Sequence, residues 1–248
     1  PKLGAIVIEA ALKDLKLASK DVDQVILGCV LPASVGQAPA RQAAIYAGLE
    51  KSTPCTTINK VCGSGMKAIM LGAQSIETGE SEVVVVGGME SMSNVPFYMD
   101  GVRSGFRMGH QKMIDGMIKD GLWDPYSDFH MGNAAELCVS EYKLSREEQD
   151  AFARQSFERA QAAIKDKRFS NEIVPVIIQG KKGDTTTIDT DEGPGKAQFD
   201  KMAKLNPAFK KDGSVTAANS STINDGASVL VLASEEFVKK SGIAPMAR

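Results

Sequence analysis

The stretch Cys55-Thr56-Thr57-Ile58-Asn59-Lys60-Val61-Cys62-Gly63-Ser64-Gly65-Met66-Lys67-Ala68 changes its periodicity in mid-course. Cys55 to Ile58 is short and β-branched and reads as a strand. Met66, Ile69, Met70 and Ala73 then recur at helical spacing. Between the two lies a turn in which Gly63, Ser64 and Gly65 have almost no side chain, so a backbone or a ligand can approach closely. A helix beginning there aims its free N–H groups and the positive end of its dipole at Cys62. That placement favours a nucleophilic thiolate. The same stretch also fits a small buried core cysteine, since free cysteine is among the most buried residue types.

Working outward, the helix ends near Thr78-Gly79. Glu82-Val83-Val84-Val85-Val86-Gly87-Gly88 follows as a strand covered on both faces and ending in two glycines. Strand, helix and strand within about thirty residues make a βαβ unit. Upstream, Val25 to Val30 is a second continuous apolar run. It is flanked by an amphipathic helix over Gly4–Leu17 and an alanine-rich helix over Ala40–Leu49. The class is therefore α/β, with a mostly parallel sheet. Chemistry in such sheets gathers at the carboxyl ends of the strands, where the Cys62 turn and Gly87-Gly88-Met89-Glu90-Ser91 would both lie. Glu90 reads either as a catalytic carboxylate or, preferably, as a structural acid that accepts local backbone N–H groups.

With 248 residues, 43% of them hydrophobic, the chain can bury a full core. A net charge of -2 argues against a nucleic-acid surface. No apolar run reaches about 18 residues, so no membrane span is expected. Pro1-Lys2-Leu3-Gly4 has no signal-peptide layout. Four cysteines without CxxC spacing point to a reducing compartment, the cytoplasm or a mitochondrial matrix. Two histidines, His110 and His130, make a His/Cys metal cluster a poor reading.

From Asn94 to about Phe129 periodicity weakens, and the chain reads as an excursion from the sheet. His130 at its end is a general base, a ligand contact or neither. Ser145 and Glu148 form a capping box that opens a helix to about Lys167, and Gly132 to Tyr142 is helical as well. Ile173 to Gln179 reads as an edge strand around Pro175, and Lys181 to Phe209 as surface loop. The small, polar run from Val215 to Ala227 suits a backbone-lined ligand channel or a tightly packed turn. It leads into Ser228 to Ala233, read as another buried strand.

Asn59 to Ala68 resembles the acyl-enzyme cysteine motif of the thiolase family. Gly87-Gly88-Met89-Glu90-Ser91-Met92-Ser93 resembles the motif that follows it there. His130-Met131-Gly132 and Val215 to Ala227 are similar to segments lining that family's coenzyme A channel. The His-Met pair resembles the short-chain acetyl-CoA acetyltransferase branch. The resemblance implies a layered α-β-α fold: a core domain over 1–91 and 222–248, and an inserted loop domain over 92–221. It also implies that Cys62 takes an acetyl group from acetyl-CoA as a thioester, which a second acetyl-CoA converts to acetoacetyl-CoA. The Cys62 backbone N–H would help form the oxyanion hole. His130 and Ser221 would contact the pantetheine arm, Leu122 would lie near the adenine, and Met131 would line the acyl pocket. Coenzyme A is then a substrate, no cofactor is bound permanently, and the assembly is a homodimer or homotetramer.

Departures from the family pattern matter as well. The Gly-His-Pro and Cys-Gly-Gly motifs of its second half do not occur here, and neither does a first strand before Pro1. The resemblance is thus to an amino-terminal half that carries the nucleophile. Some members bind potassium through a tyrosine in the loop that here reads Asp191-Glu192-Gly193-Pro194, so no metal is expected. Two rival readings are a related ketoacyl-synthase-type condensing enzyme and a non-catalytic fragment serving in coenzyme A binding or dimerisation.

Overall fold

The computed structural model describes residues 1–180 and 183–248. Helix α1 (Lys2–Leu15), strand β1 (Gln24–Gly28), helix α2 (Pro39–Tyr46), strand β2 (Cys55–Ile58), helix α3 (Ser64–Glu77) and strand β3 (Val83–Ser91) come first. Four two-residue strands follow: β4 (Phe97–Tyr98), β5 (Ile114–Asp115), β6 (Trp123–Asp124) and β7 (Phe129–His130). Then come α4 (Met131–Tyr142), α5 (Arg146–Lys165), β8 (Val176–Gln179), β9 (Thr185–Ile188), the one-turn helices α6 (Glu192–Gly195) and α7 (Phe199–Met202), β10 (Asp225–Ala233) and α8 (Glu235–Ser241). The chain forms two compact units, Pro1–Gly121 with Asn224–Arg248, and Leu122–Ile223. Residues 92–121, assigned from the sequence to an insertion, group with the first unit.

The first unit is built on one sheet in the order β10-β3-β1-β2. Strand β1 runs parallel to both β2 and β3, and β10 runs antiparallel to β3. Alternation sorts the side chains to two faces. Val25, Leu27, Val83, Val85 and Met89 join Ile8 and Leu12 of α1 and Ala40, Ala43 and Ala44 of α2 in one cluster. Ile26, Val84 and Val86 join Ala68 of α3 in the other. Both faces are covered, which is why these strands read as unbroken apolar runs. Each fully buried aliphatic side chain contributes about 1.5–3 kcal/mol.

Two readings of these strands need correction. Gly87 and Gly88 lie inside β3, which continues to Ser91, because β10 pairs along its whole length. A Cβ on Gly87 would strike the Ser228 carbonyl oxygen of β10. Strand β10 itself is an antiparallel edge strand rather than a buried one. Ala227, Val229, Val231 and Ala233 pack on the core, while Leu230 is 52% exposed.

Helix α3 is pressed onto the sheet at Gly28. A Cβ there would lie 2.6 Å from Ser64 Cβ and 3.1 Å from the Ser64 carbonyl carbon. This close approach brings the start of α3 directly onto the end of β1.

In the second unit, β6 and β7 form a small hairpin, and β8 pairs with β9. The capping box opens α5 as expected: Glu148 N donates to Ser145 Oγ, and Ser145 N donates to Glu148 Oε2. The strand expected around Pro175 belongs to the β8–β9 hairpin, not to the main sheet. The stretch read as surface loop holds β9, α6 and α7, and its first two residues, Lys181 and Lys182, lie outside the described residues. Its polar composition hid a strand whose residues are exposed on both faces. Among the described residues, no helix is long and apolar enough to cross a membrane.

Replacing Gly28 by alanine pushes a methyl group into the Ser64 backbone. Gly28→Ala is expected to destabilise the chain by about 1–3 kcal/mol, read as a lowered urea midpoint with an unchanged slope.

Candidate active site

The site assembles where three strands end. Gly28 is level with Ile58 on one side and Gly88 on the other. Beyond that level lie Cys29 to Leu31, Asn59 to Cys62, and Met89 to Ser91. Hydrogen bonds tie the three exits together. Glu90 accepts from the backbone N–H of Val30 at 2.8 Å and of Leu31 at 3.0 Å. Asn59 Nδ2 donates to the Val30 carbonyl at 3.3 Å. Glu90 is therefore the structural acid that the sequence reading preferred. It satisfies donors that a turn leaves unpaired.

The turn from Asn59 to Ser64 presents Cys62. Its thiol is exposed, which removes the core-cysteine reading within this chain. Gly63 is the N-cap residue of α3 and offers no side-chain cap. Of the donors at the start of α3, Gly63 N goes to the Lys60 carbonyl and Ser64 N to the Val61 carbonyl, each at 3.1 Å, so the array of free N–H groups that the sequence reading expected is reduced by two. Val61 carries a left-handed φ of 47°. For a β-branched residue this is a strained conformation, costing about 1–3 kcal/mol. Among the described residues, none forms a hydrogen bond with the Cys62 thiol.

Cys29 lies one residue beyond β1 and is only 6% exposed. Burial pushes its thiol up to about 11, and the neighbouring Glu90 carboxylate adds to the shift. A thiol held protonated this way is inert as a nucleophile near neutrality, so chemistry at this edge falls to Cys62.

The other four predicted site residues belong to the second unit. Leu122 directly precedes Trp123, whose register partner across the β6–β7 hairpin is His130. His130 caps α4: its Nδ1 accepts from Gly132 N at 2.9 Å. Only Nε2 is left to face a ligand. The ring stacks on Phe209, with centroids 5.1 Å apart. Phe209 also covers Gly132, and Asn133 Nδ2 donates to its carbonyl at 3.0 Å. Met131 is exposed at the start of α4, and Ser221 is exposed midway along the small polar run. His130, Met131 and Leu122 are thus gathered at one hairpin and helix start, while Cys62 belongs to the first unit.

Sequence reasoning missed the residues that hold the polar run in place. Buried Glu136 accepts from Ser214 N at 2.9 Å and Val215 N at 2.8 Å through one oxygen. Asn219 donates to Asp150 at 2.9 Å and accepts from Thr216 N at 2.7 Å. Arg146 pairs with Asp150 at 2.8 Å. Nothing in the spacing marks Glu136 or Phe209, because their partners are more than seventy residues away. A cavity of about 290 Å³ in the same unit is lined by Phe157, Lys196, Lys201, Met202 and Ala217, among others. No group of three or more His, Cys, Asp or Glu side chains among the described residues is placed to hold a metal.

The family model for the thiolase N-terminal domain matches residues 1–236. The chain belongs to the thiolase family. An acetyl-CoA acetyltransferase of Pseudomonas aeruginosa is 52% identical, with 100% of this chain aligned to 63% of that protein. One from Gibberella zeae, named as mitochondrial, is 54% identical over 98% of this chain and 56% of its own length. The thiolase of Ascaris suum, solved in complex with coenzyme A, superposes with a TM-score of 0.91 at 42% identity and covers 98% of this chain and 62% of that one. The chain thus spans less than two thirds of the thiolases it matches. Its layered α/β architecture is the thiolase fold.

Two measurements test the geometry of the two units. Folding stability should fall as the pH rises from about 9 to about 11, because the unfolded Cys29 thiol ionises before the folded one. Below that window the contribution is complete, and Cys29→Ala should remove this part of the profile in urea titrations run across it. In the second unit, Glu136→Ala leaves the Ser214 and Val215 N–H groups unpaired. It is expected to cost about 1–3 kcal/mol and to raise protease cutting between 213 and 221.

Proposed function

We propose that this thiolase chain carries the nucleophile of an acetyl-CoA acetyltransferase. One observation supports this above the rest. Cys62 is exposed at the uncapped start of α3, on the carboxyl edge of a parallel sheet, in a chain whose relatives bear that enzyme name. The Cys62 sulfur attacks the thioester carbonyl of acetyl-CoA, the bond to the coenzyme A sulfur breaks, and coenzyme A leaves as its thiol. A second acetyl-CoA, deprotonated at its methyl carbon, then attacks the acetyl-cysteine, giving acetoacetyl-CoA and the free thiol. The steps run in reverse for thiolysis. The Cys62 N–H stabilises the oxyanion. The proton acceptor belongs to the second half of the thiolase pattern, which is consistent with a Cys62 thiol that has no base as partner within the described residues.

Coenzyme A binds as a substrate through the second unit. His130 Nε2 and the Ser221 hydroxyl meet the pantetheine arm, Leu122 lies near the adenine, and Met131 lines the acyl pocket. The insertion that carries these residues serves as the coenzyme A loop domain of the core fold. The protein works as a homodimer or homotetramer in a reducing compartment, the cytoplasm or the mitochondrial matrix. A second reading, coenzyme A binding without turnover by this chain alone, is favoured by the same unpartnered thiol.

Intact-protein mass separates these readings. The chain is incubated with acetyl-CoA, with and without the carboxyl-terminal remainder of the Pseudomonas aeruginosa relative. A gain of one acetyl group that is absent in Cys62→Ser is the expected result. A gain only with the added segment means that the base is supplied there. No gain in either case overturns the nucleophile assignment.

A further inference from the structure

Val61 is the strained residue of the Cys62 turn, and both of its peptide groups are held by side chains. Asn59 Oδ1 accepts from Val61 N at 2.9 Å. The Ser64 hydroxyl donates to the Val61 carbonyl at 2.6 Å and accepts from Lys60 N at 2.8 Å. Ser64 is buried, and its Cβ lies where Gly28 has no side chain. The peptide bond between Val61 and Cys62 is planar, so fixing the Val61 carbonyl also fixes the direction of the Cys62 N–H. That N–H lies in the same plane and points antiparallel to the carbonyl. The Ser64 backbone N–H also donates to the Val61 carbonyl, at 3.1 Å, and the shorter hydroxyl bond adds to it in holding the left-handed φ of Val61 and the aim of the group that follows.

We propose that Ser64 is a positioning residue for Cys62. Its hydroxyl clamps the Val61 carbonyl, and so holds the Cys62 thiol and backbone N–H at the start of α3 against the relaxation that a valine at φ 47° would otherwise undergo. This inference rests on the reading of Cys62 as the nucleophile. A serine that only stabilises the start of a helix would protect the fold and leave the thiol's reactivity unchanged. A clamp changes that reactivity, and its effect depends on the strain at residue 61.

The test uses iodoacetamide on the 248-residue chain, with the alkylation rate of each cysteine followed by peptide mass. Exposed Cys138 is the internal reference, and buried Cys29 reports whether the fold has opened. In the unsubstituted chain Cys62 should react faster than Cys138. A Cys62 that reacts no faster both in the chain alone and with the carboxyl-terminal remainder of the Pseudomonas aeruginosa relative added overturns the nucleophile reading itself. In Ser64→Ala the ratio of Cys62 to Cys138 rates should fall about tenfold while Cys29 stays unlabelled. An unchanged ratio with Cys29 protected overturns the clamp and leaves the nucleophile reading standing. Glycine adopts a left-handed φ without strain, so in a Val61→Gly background the same Ser64→Ala change should cost only about twofold. An undiminished loss there overturns the role of Val61 strain. If Ser64→Ala opens the fold, Ser64→Thr, which keeps the hydroxyl, should retain the original ratio. A reduced ratio in a folded Ser64→Thr chain overturns the proposal.

Discussion

The start of α3 meets the end of β1 with no side chain between them, and much of the first unit follows from that contact. At Gly28 a single methyl group would collide with Ser64. Because it is absent, the helix axis comes down onto the sheet beside the strand exits, and its first turn begins at the same edge as the Asn59–Cys62 turn. Gly72, about two turns further along the same face of the helix, makes a similar close approach to the Val86 side chain. Close packing at two points along a 14-residue helix fixes its direction.

Around this contact the molecule uses polar side chains as fasteners rather than reagents. Glu90 closes the exit of β1, Asn59 joins that exit to the turn, and Ser64 closes the turn on itself. The second unit follows the same rule with different residues: Glu136, Asp150 and Asn219 hold the 214–219 backbone, and His130 caps the helix it begins. Buried backbone groups that leave regular structure require partners, and strand exits and polar loops are where such groups concentrate. This explains why Glu90 at the strand exits, and Glu136 and Asp150 in the second unit, are spent on backbone and amide donors. The two cysteines at the sheet edge divide accordingly: Cys29 is buried and kept protonated beside Glu90, and Cys62 is exposed.

Local features were legible in the sequence wherever they obeyed a short-range rule. The valine run of β3, the small-residue turn after β2 and the Ser145–Glu148 capping box each depend on neighbours within a few residues. The β8–β9 hairpin escaped because its second strand is exposed on both faces and shows no apolar alternation. Strand β10 was misread as buried, since an apolar run does not reveal whether a neighbouring strand covers its outer edge.

The sequence alone determined the α/β class, the nucleophile candidate and the family resemblance, because each rests on residue identity and near-neighbour spacing. Tertiary structure decided the strand order β10-β3-β1-β2, the structural role of Glu90, the stacking of Phe209 on His130 and the burial of Glu136 under the 214–215 backbone. It also decided that Cys62 is exposed while Cys29 is not. The physical reason is range. Periodicity records what one element presents to its surroundings, whereas hydrogen-bond partners and burial depend on residues some sixty to eighty positions away that only the folded chain brings together.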